Sequence, residues 1–314
     1  MDIQYLLFLQ NIRNHLPTFV SKFMMFVSDA ALLFEFLIPM FLYWCISKRK
    51  AIFVAYTLGF SSILNQLLKN IFCIYRPWIR DARIQPFGNA KFTATGYSFP
   101  SGHSQIASAT FGGVAYCYWK EKFFVNTMIF IALLVGFSRN FLGCHTPQDV
   151  FFGLCEGAAF VVVMHFLLGW TWSKKEREKF VVLAGIIFAA AMLVFTELKP
   201  YPIRLAHGVL LVDPEKMKLD CYRSAGMLVG ILLGIFLEQK FVNFEIEVPW
   251  IRKTLRFAIG SAVAAGLFIG LSLLFFKIGL NQKAANFITT FSLMFFIFFL
   301  GPLAMRTLNN FQKS

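Results

Sequence analysis

The feature that most constrains this chain is a succession of nine mostly apolar runs separated by short basic or polar gaps. They lie at about 28–47, 51–74, 101–119, 123–143, 147–172, 180–197, 224–239, 254–276 and 285–305. Each is close to the ~20 residues that a helix needs to cross the hydrocarbon core of a bilayer. Composition agrees. Of 314 residues, 58% are hydrophobic, 18% aromatic and 15% charged, where a soluble domain carries about 25% charged residues. The fold expected is therefore all-α, a polytopic integral membrane protein whose main solvent is lipid. A net charge of +14 would suggest nucleic acid in a soluble protein. Here the Lys and Arg fall mostly in the gaps between apolar runs, which points to anionic lipid headgroups and away from nucleic acid.

Residues 2–26 are mixed. Leu6, Leu7, Leu9, Ile12 and Leu16 roughly follow helical spacing, which predicts an interfacial helix before the first span. The stretch lacks a signal peptide's pattern of leading basic residues and a small-residue cleavage site. Orientation follows from the loops. The side carrying residues 47–50, 120–122, 173–179 and 252–256 has dense basic clusters in short gaps, and by the positive-inside rule it is expected to be cytoplasmic. The opposite side carries residues 69–100, 138–149 and 199–223.

Three stretches on that opposite side carry chemistry. In SRNFLGCHTPQD (138–149), Thr146-Pro147 reads as a helix start, with threonine as N-cap and proline at the first helical position. His145 and Asp149 are then about one turn apart. The carboxylate could accept the imidazole N–H and leave the other ring nitrogen nucleophilic, or it could simply close a capping box with Thr146. Arg139, just before them, has a fork of donors suited to phosphate. In KNIFCIYRP (69–77), Lys69 and Arg76 are spaced as two turns of one helix, so both would face the same way. An anion would justify two cations there, and snorkelling to headgroups is the alternative. In SFPSGHS (98–104), Pro100 breaks the chain and Ser101 caps a new helix. Gly102 allows close approach to free N–H groups, and His103 sits in the first turn, where it could donate a proton. An ordinary loop-to-helix connection would look the same.

Taken together, Lys69-x6-Arg76-Pro77, Pro100-Ser101-Gly102-His103 and Ser138-Arg139-x5-His145-x3-Asp149 resemble the three motifs of the type-2 phosphatidic acid phosphatase superfamily, in order and in spacing. The resemblance implies a six-helix phosphatase core that, with the N-terminal interfacial helix, covers 1–197. Residues 198–314 then hold an extracytoplasmic loop and three further spans of unread role. It implies that Lys69, Arg76 and Arg139 bind phosphate oxygens, completed by Ser101 and the Gly102 N–H. His145 attacks phosphorus to form a phosphohistidine, Asp149 orients His145, and His103 protonates the leaving oxygen. Ser138 helps to fix the arginine. No metal or other cofactor is implied, since three cations and a helix end neutralise the charge. The implied partners are membrane lipids and a lipid phosphate of the phosphatidate, sphingoid-base or isoprenoid type. The RPWIRDARI stretch from Arg76 resembles that of bacterial lipid phosphatases and sphingoid-base phosphate phosphatases. Nine spans also resemble glucose-6-phosphatase, which keeps a soluble sugar phosphate open. A lipid transporter that merely captures headgroups is the rival from another class. The implied place is a bacterial plasma membrane, with the site facing out of the cytoplasm.

Outside the motifs, Glu156 falls seven residues after Asp149 and deeper in the span. It either tunes the site or makes a hydrogen bond between helices, and Glu35 carries the same ambiguity. Gln105 is placed to line the pocket, Asn65 and Gln66 to tie helices together, and His165 to sit in the core. The six cysteines show no framework spacing and are expected as free buried thiols, with one disulfide among Cys73, Cys144 and Cys221 as the alternative. Small residues at 258–270 suit close helix contact, within the chain or across a homodimer.

Overall fold

A computed structural model of the chain describes residues 1–94, 96–206 and 209–311. Thr95 and residues 207–208, in the two loops on the motif side, lie outside the described residues. The architecture is all-α. The long helices are α1 (Asp2–His15), α2 (Thr18–Phe41, continued by a π turn Leu42–Ile46), α3 (Lys48–Phe72), α4 (Gly102–Cys117) and α5 (Lys122–Phe141). They continue as α6 (Pro147–Trp172), α7 (Glu178–Leu198), α8 (Pro214–Leu237, with a π turn Glu238–Val242), α9 (Trp250–Lys277) and α10, from Gln282 onward. A two-residue hairpin pairs Leu205 with Leu210 in the loop between α7 and α8.

The expected order of nine apolar helices is present, with two differences. Among the described residues, eight helices are long and apolar enough to cross a membrane. The ninth, α4, has 16 residues and lies against α2, α3, α5 and α6. It ends early because the chain turns through Tyr118 before α5 begins. The other difference is at the start of the chain. The mixed segment 2–26 is not one interfacial helix: α1 ends at His15, Pro17 supplies the break, and the first span begins at Thr18. α1 buries Leu6, Leu9 and Arg13 on one face. Arg13 donates to the carbonyls of Phe141 (3.0 Å) and Gln85 (2.7 Å) and so ties α1 to the loops of the motif side.

α3 is the axis of the molecule, with 72% of its most apolar window buried. One hydrophobic cluster runs from Val54, Tyr56 and Leu58 of α3 to Leu228, Ile231 and Ile235 of α8. The last three spans therefore pack onto the first six through a common core. Elsewhere the apolar side chains face outward: Phe19, Phe26, Phe123, Phe130 and Phe166 are all exposed, as lipid-facing residues must be. Opposite the motif side, buried Glu238 accepts from Tyr43 Oη (2.6 Å) and Lys48 Nζ (2.7 Å), which locks α8 to the α2–α3 turn. His165 is not in the core. It lies on the outer face of α6, where its ring pairs with the Tyr116 hydroxyl. All six cysteines are free thiols.

Two glycine pairs set the closest helix approaches. On α6, a Cβ at Gly153 would stand 2.5 Å from the Ser101 carbonyl oxygen, and one at Gly157 2.6 Å from the Ala109 nitrogen. On α8, a Cβ at Gly230 would stand 2.6 Å from the Phe291 carbonyl, and the preceding turn at Gly226 is tighter still. Small-xxx-small pairs of this kind let backbones touch in lipid. In the small-residue stretch 258–270, Gly260 makes room for the ring of Trp44, whereas Gly266 and Gly270 face open space.

Candidate active site

The site forms where three chain breaks meet. At the first, α3 stops at Phe72 because Cys73 takes the left-handed conformation (φ 49°), its N–H closing on the Lys69 carbonyl at 3.0 Å. Lys69 and Arg76 are therefore not two turns apart on one helix. The chain leaves the helix between them, and both still reach one cavity. Lys69 Nζ donates to the Tyr97 carbonyl at 3.3 Å. Arg76 donates from Nε to the Gly96 carbonyl (3.0 Å) and from Nη1 to the Cys144 carbonyl (3.3 Å). Beyond Pro77 the RPWIRDARI stretch points elsewhere. Arg80 pairs with Asp2 and Arg83 with Asp81, whose carboxyl the Arg83 guanidinium holds down to about 2.

The second break is at Pro100. Ser101 caps α4, its Oγ accepting from the Ser104 N–H (3.4 Å) and the Ser104 hydroxyl (2.9 Å). Gly102 opens the helix, and His103 follows in its first turn, buried, with Nε2 lacking a hydrogen-bond partner. The tight seat of Gly153 against Ser101 brings this helix start beside the start of α6. There the Ser101 N–H donates to the Asp149 carbonyl at 2.9 Å.

The third break joins α5 to α6. Gly143, at φ 75°, turns the chain back so that the N–H groups of Cys144 and His145 reach the Arg139 carbonyl (3.0 and 3.3 Å). Asn140 Nδ2 holds the His145 carbonyl at 2.9 Å. Thr146 caps α6 with Pro147 in the first turn, and the capping box with Asp149 is complete. Of the two uses of Asp149 posed by the sequence, the capping box is the one made, and the carboxylate also faces the imidazole without a hydrogen bond to it. Its Oδ2 accepts from the Thr146 N–H (2.8 Å) and the Ser98 hydroxyl (2.6 Å) and lies 3.5 Å from His145 Nδ1. That last distance is longer than a hydrogen bond, and Nδ1 has no hydrogen-bond partner.

His145 Nε2 is 2.7 Å from Arg76 Nη1. Arginine can only donate, so Nε2 is the unprotonated nitrogen and the ring proton lies on Nδ1, facing Asp149. Burial, then the positive charges of Arg76, Arg139 and Lys69, push the His145 pKa well below the ordinary imidazole range. The ring is neutral at pH 7 with its lone pair aimed into the cationic cluster. Arg139 is fully buried. Its Nη1 donates to the Ser28 hydroxyl (2.6 Å), and its Nε and Nη2 have no hydrogen-bond partner.

A cavity of about 110 Å³ opens here, lined by Lys69, Arg76, Gly102, His103, Gln105 and His145 among others. Ser101, Asp149 and Arg139 stand around it without forming its wall. Ser138 bonds the Val135 carbonyl of its own helix (2.6 Å) and does not line the cavity. Gln105 lines it and donates to Ser61 Oγ at 2.6 Å. Glu156 accepts from Asn65 Nδ2 at 2.8 Å, the helix-to-helix alternative of the two raised for it. Gln66 lines the cavity instead of bridging helices. Sequence reasoning missed the wall given by α8, namely Asp220, Arg223 and Ser224. The signal available was the intramembrane carboxylate Glu35, which wanted a cation; Arg223 is that cation, at 3.1 Å. Among the described residues, no group of three or more His, Cys, Asp or Glu is arranged to hold a metal ion.

A bundle of membrane helices enclosing a buried histidine among lysine and arginine side chains at a helix N-terminus defines a polytopic membrane protein with a buried, cation-lined cavity. Two family models match such a chain: the PAP2 superfamily over residues 50–173, and the PAP2 superfamily phosphatase transmembrane extension over residues 222–313. The chain belongs to the PAP2 superfamily. It is similar to the lipid A 1-phosphatase of Rhizobium johnstonii (32% identical over 122 residues, 36% of this chain and 49% of that protein). It is also similar to the phosphatidylglycerophosphatase B of Bacillus subtilis (34% over 107 residues, 32% of this chain and 48% of that protein). A second lipid A 1-phosphatase, from Rhizobium etli, is 32% identical over 126 residues, 36% of this chain and 51% of that protein. The chain spans about half the length of the curated relatives it matches. No solved structure matches it.

Proposed function

We propose that this protein is a metal-independent phosphatase that hydrolyses a lipid phosphate monoester through a phosphohistidine, with its site on the non-cytoplasmic side of a bacterial plasma membrane. The observation that carries this reading is the contact of Arg76 Nη1 with His145 Nε2 at 2.7 Å. It supports this reading because an unprotonated imidazole nitrogen lies beside a guanidinium whose donors suit a phosphate oxygen. A phosphate entering the cradle takes the donors of Lys69 and Arg76 and the Gly102 N–H, and Arg139 adds positive charge from behind. Drawing Arg76 onto the phosphate releases the Nε2 lone pair. Nε2 attacks phosphorus in line, the ester P–O bond breaks, and His103, protonated once the phosphate dianion offsets the cations around it, delivers that proton to the leaving oxygen. The Nδ1 proton and the charge the ring acquires are stabilised by Asp149, which Ser98 and Thr146 hold in place. Water, giving its proton back to His103, then attacks phosphorus; the P–N bond breaks and inorganic phosphate leaves. The fixed cations stabilise the charge on the equatorial oxygens throughout.

The relatives' names favour lipid substrates, and the class proposed is a phosphatidate, a sphingoid-base phosphate or an isoprenoid phosphate or diphosphate. The test is phosphate release by purified protein in lipid nanodiscs with EDTA present. Release that persists in EDTA and falls about 10³-fold or more in His145→Ala is the expected result. Release that EDTA abolishes, or that survives the substitution, would overturn the mechanism.

A further inference from the structure

The seam between α9 and α10 opens, on the side opposite the motifs, into a cavity of about 430 Å³. Its cause is Trp44, in the π turn that ends the first span. The indole N–H donates to the Ile297 carbonyl of α10 at 2.7 Å, which fixes the ring. Gly260 of α9 and Gly301 of α10 both face that ring. A Cβ at Gly301 would stand 2.5 Å from it, and one at Gly260 closer still. Trp44 is therefore a wedge that holds the two helices apart. α9 has little else to hold it, since only 11% of its most apolar window is buried.

The α9 wall is graded. Arg252, Arg256, Ile259 and Val263 line the cavity at intervals of three and four residues, so they share one face of the helix. The two guanidinium groups come first, at the start of the span, and the apolar side chains follow deeper in. Leu255, Ile259 and Val263 are exposed. Arg252 is exposed too, and Arg256 Nη1 donates to the Glu245 carbonyl at 3.2 Å, which steadies it. Among the described residues, no carboxylate lines this cavity. A lone arginine at a span end reaches for headgroups. Here two stand one turn apart, where like charges repel and a shared anion relieves them. Beneath them is an apolar trough at membrane depth, which only hydrocarbon fills well. The molecule that fits is anionic at one end and hydrocarbon at the other.

We infer that this cavity is a binding site for an anionic phospholipid of the leaflet on that side. Arg252 and Arg256 take the phosphate group, and an acyl chain runs along Leu255, Ile259 and Val263 against α10. Basic pockets between spans on the cytoplasmic side recognise anionic headgroups in this way, and the basic gaps at 47–50, 120–122 and 173–179 lie on the same side. The lipid is a resident of the fold and not the substrate. It fills the gap that the wedge leaves and fastens α9 to α10. The site stands whether or not the phosphatase reading does.

The test is native mass spectrometry of the full chain in detergent, with dioleoylphosphatidylglycerol and dioleoylphosphatidylcholine added at equal concentration. Wild type should retain the anionic lipid about tenfold more than the zwitterionic one, the scale of two interfacial cations acting on one charge. Arg252→Ala should weaken that preference, and Arg252→Ala with Arg256→Ala should abolish it. Val263→Trp, which fills the trough, should lower retention of both lipids. Lys120→Ala with Lys122→Ala removes the same charge from another loop on that side and should change nothing. Equal retention of the two lipids by wild type, an unchanged preference in the arginine variants, or an equal loss in the lysine variant overturns the site. A dimer that carries no lipid also overturns it, in favour of a second copy of this chain seated on α9.

Discussion

His145 shows what burial does to a single residue. Its ring is enclosed and faces Arg76, with Arg139 and Lys69 close enough to act on its charge. Every one of these influences disfavours the imidazolium. The unfolded chain would bind a proton near the ordinary pKa of about 6.5, while the folded ring stays neutral to well below that. His145 therefore withdraws stability as pH falls below about 6.5 and costs nothing above it. The same sign governs activity: the acid limb of kcat/KM due to this ring should lie below pH 6.5. Substituting Arg76→Ala removes the nearest positive charge, so the ring pKa should rise and the limb move to higher pH. Titration of ¹⁵N-histidine-labelled protein by NMR reads the shift directly, and an unmoved His145 resonance in the variant would refute the assignment. The presence of this histidine and its partner Asp149 was legible as a four-residue spacing. The contact with Arg76 was not, because it depends on a chain break at Cys73 that places Arg76 across the site from its own helix.

Among elements, the start of α4 and the start of α6 matter most, and two glycines hold them together. Gly153 and Gly157 seat α6 on the backbone of α4 from Ser101 to Ala109. Valine at Gly157 would drive a branched side chain into the Ala109 amide, and overpacking of that kind costs about 1–3 kcal/mol. The expected outcome for Gly157→Val is a lower thermal midpoint in detergent together with loss of phosphate release, since Ser101 and His103 move away from His145. Gly169→Val, on the same helix with nothing within 4 Å of its Cβ, should change neither. Equal behaviour of the two variants would show that the close approach is unimportant. The Gly153-x3-Gly157 spacing was readable in the sequence as a small-xxx-small pair. The stretch at 258–270 carries the same signal more densely, yet Gly266 and Gly270 meet nothing. Spacing marks a face that can pack; the neighbouring helix decides whether it does.

At the scale of the whole molecule, the last three spans complete the first six. α8 shares the core of α3, locks the far side through Glu238 and neutralises Glu35 through Arg223. On the motif side, Lys199 donates to the carbonyl of Ile71 (3.1 Å) and also caps Asn70, closing the end of α3. Tyr201 reaches Asn70 Oδ1 at 2.6 Å. The proposed sidedness is testable at this scale. Arg83, with 72% of its side chain exposed, marks the motif-side surface. A thiol introduced as Arg83→Cys should react with an impermeant maleimide in intact cells, above the background of the parent protein's own cysteines. Labelling that requires permeabilised cells would reverse the orientation.

The division between sequence and structure follows from the range of the forces involved. The sequence by itself determined the number and order of the apolar helices, the caps at Ser101 and Thr146, and the three clusters of chemistry-bearing residues. Each of these depends on neighbours within a turn or two of the chain, or on a simple preference for lipid over water. Tertiary structure alone decided that α4 is a short central helix and that Lys69 and Arg76 converge across a break. It also decided that Asp149 serves Ser98 and Thr146 as well as facing His145, and that Asp220 and Arg223 of α8 wall the same cavity as Lys69. Those outcomes depend on which helix faces which. In lipid that choice is set by close packing and by the pairing of buried charges, and both bring together residues far apart in the chain.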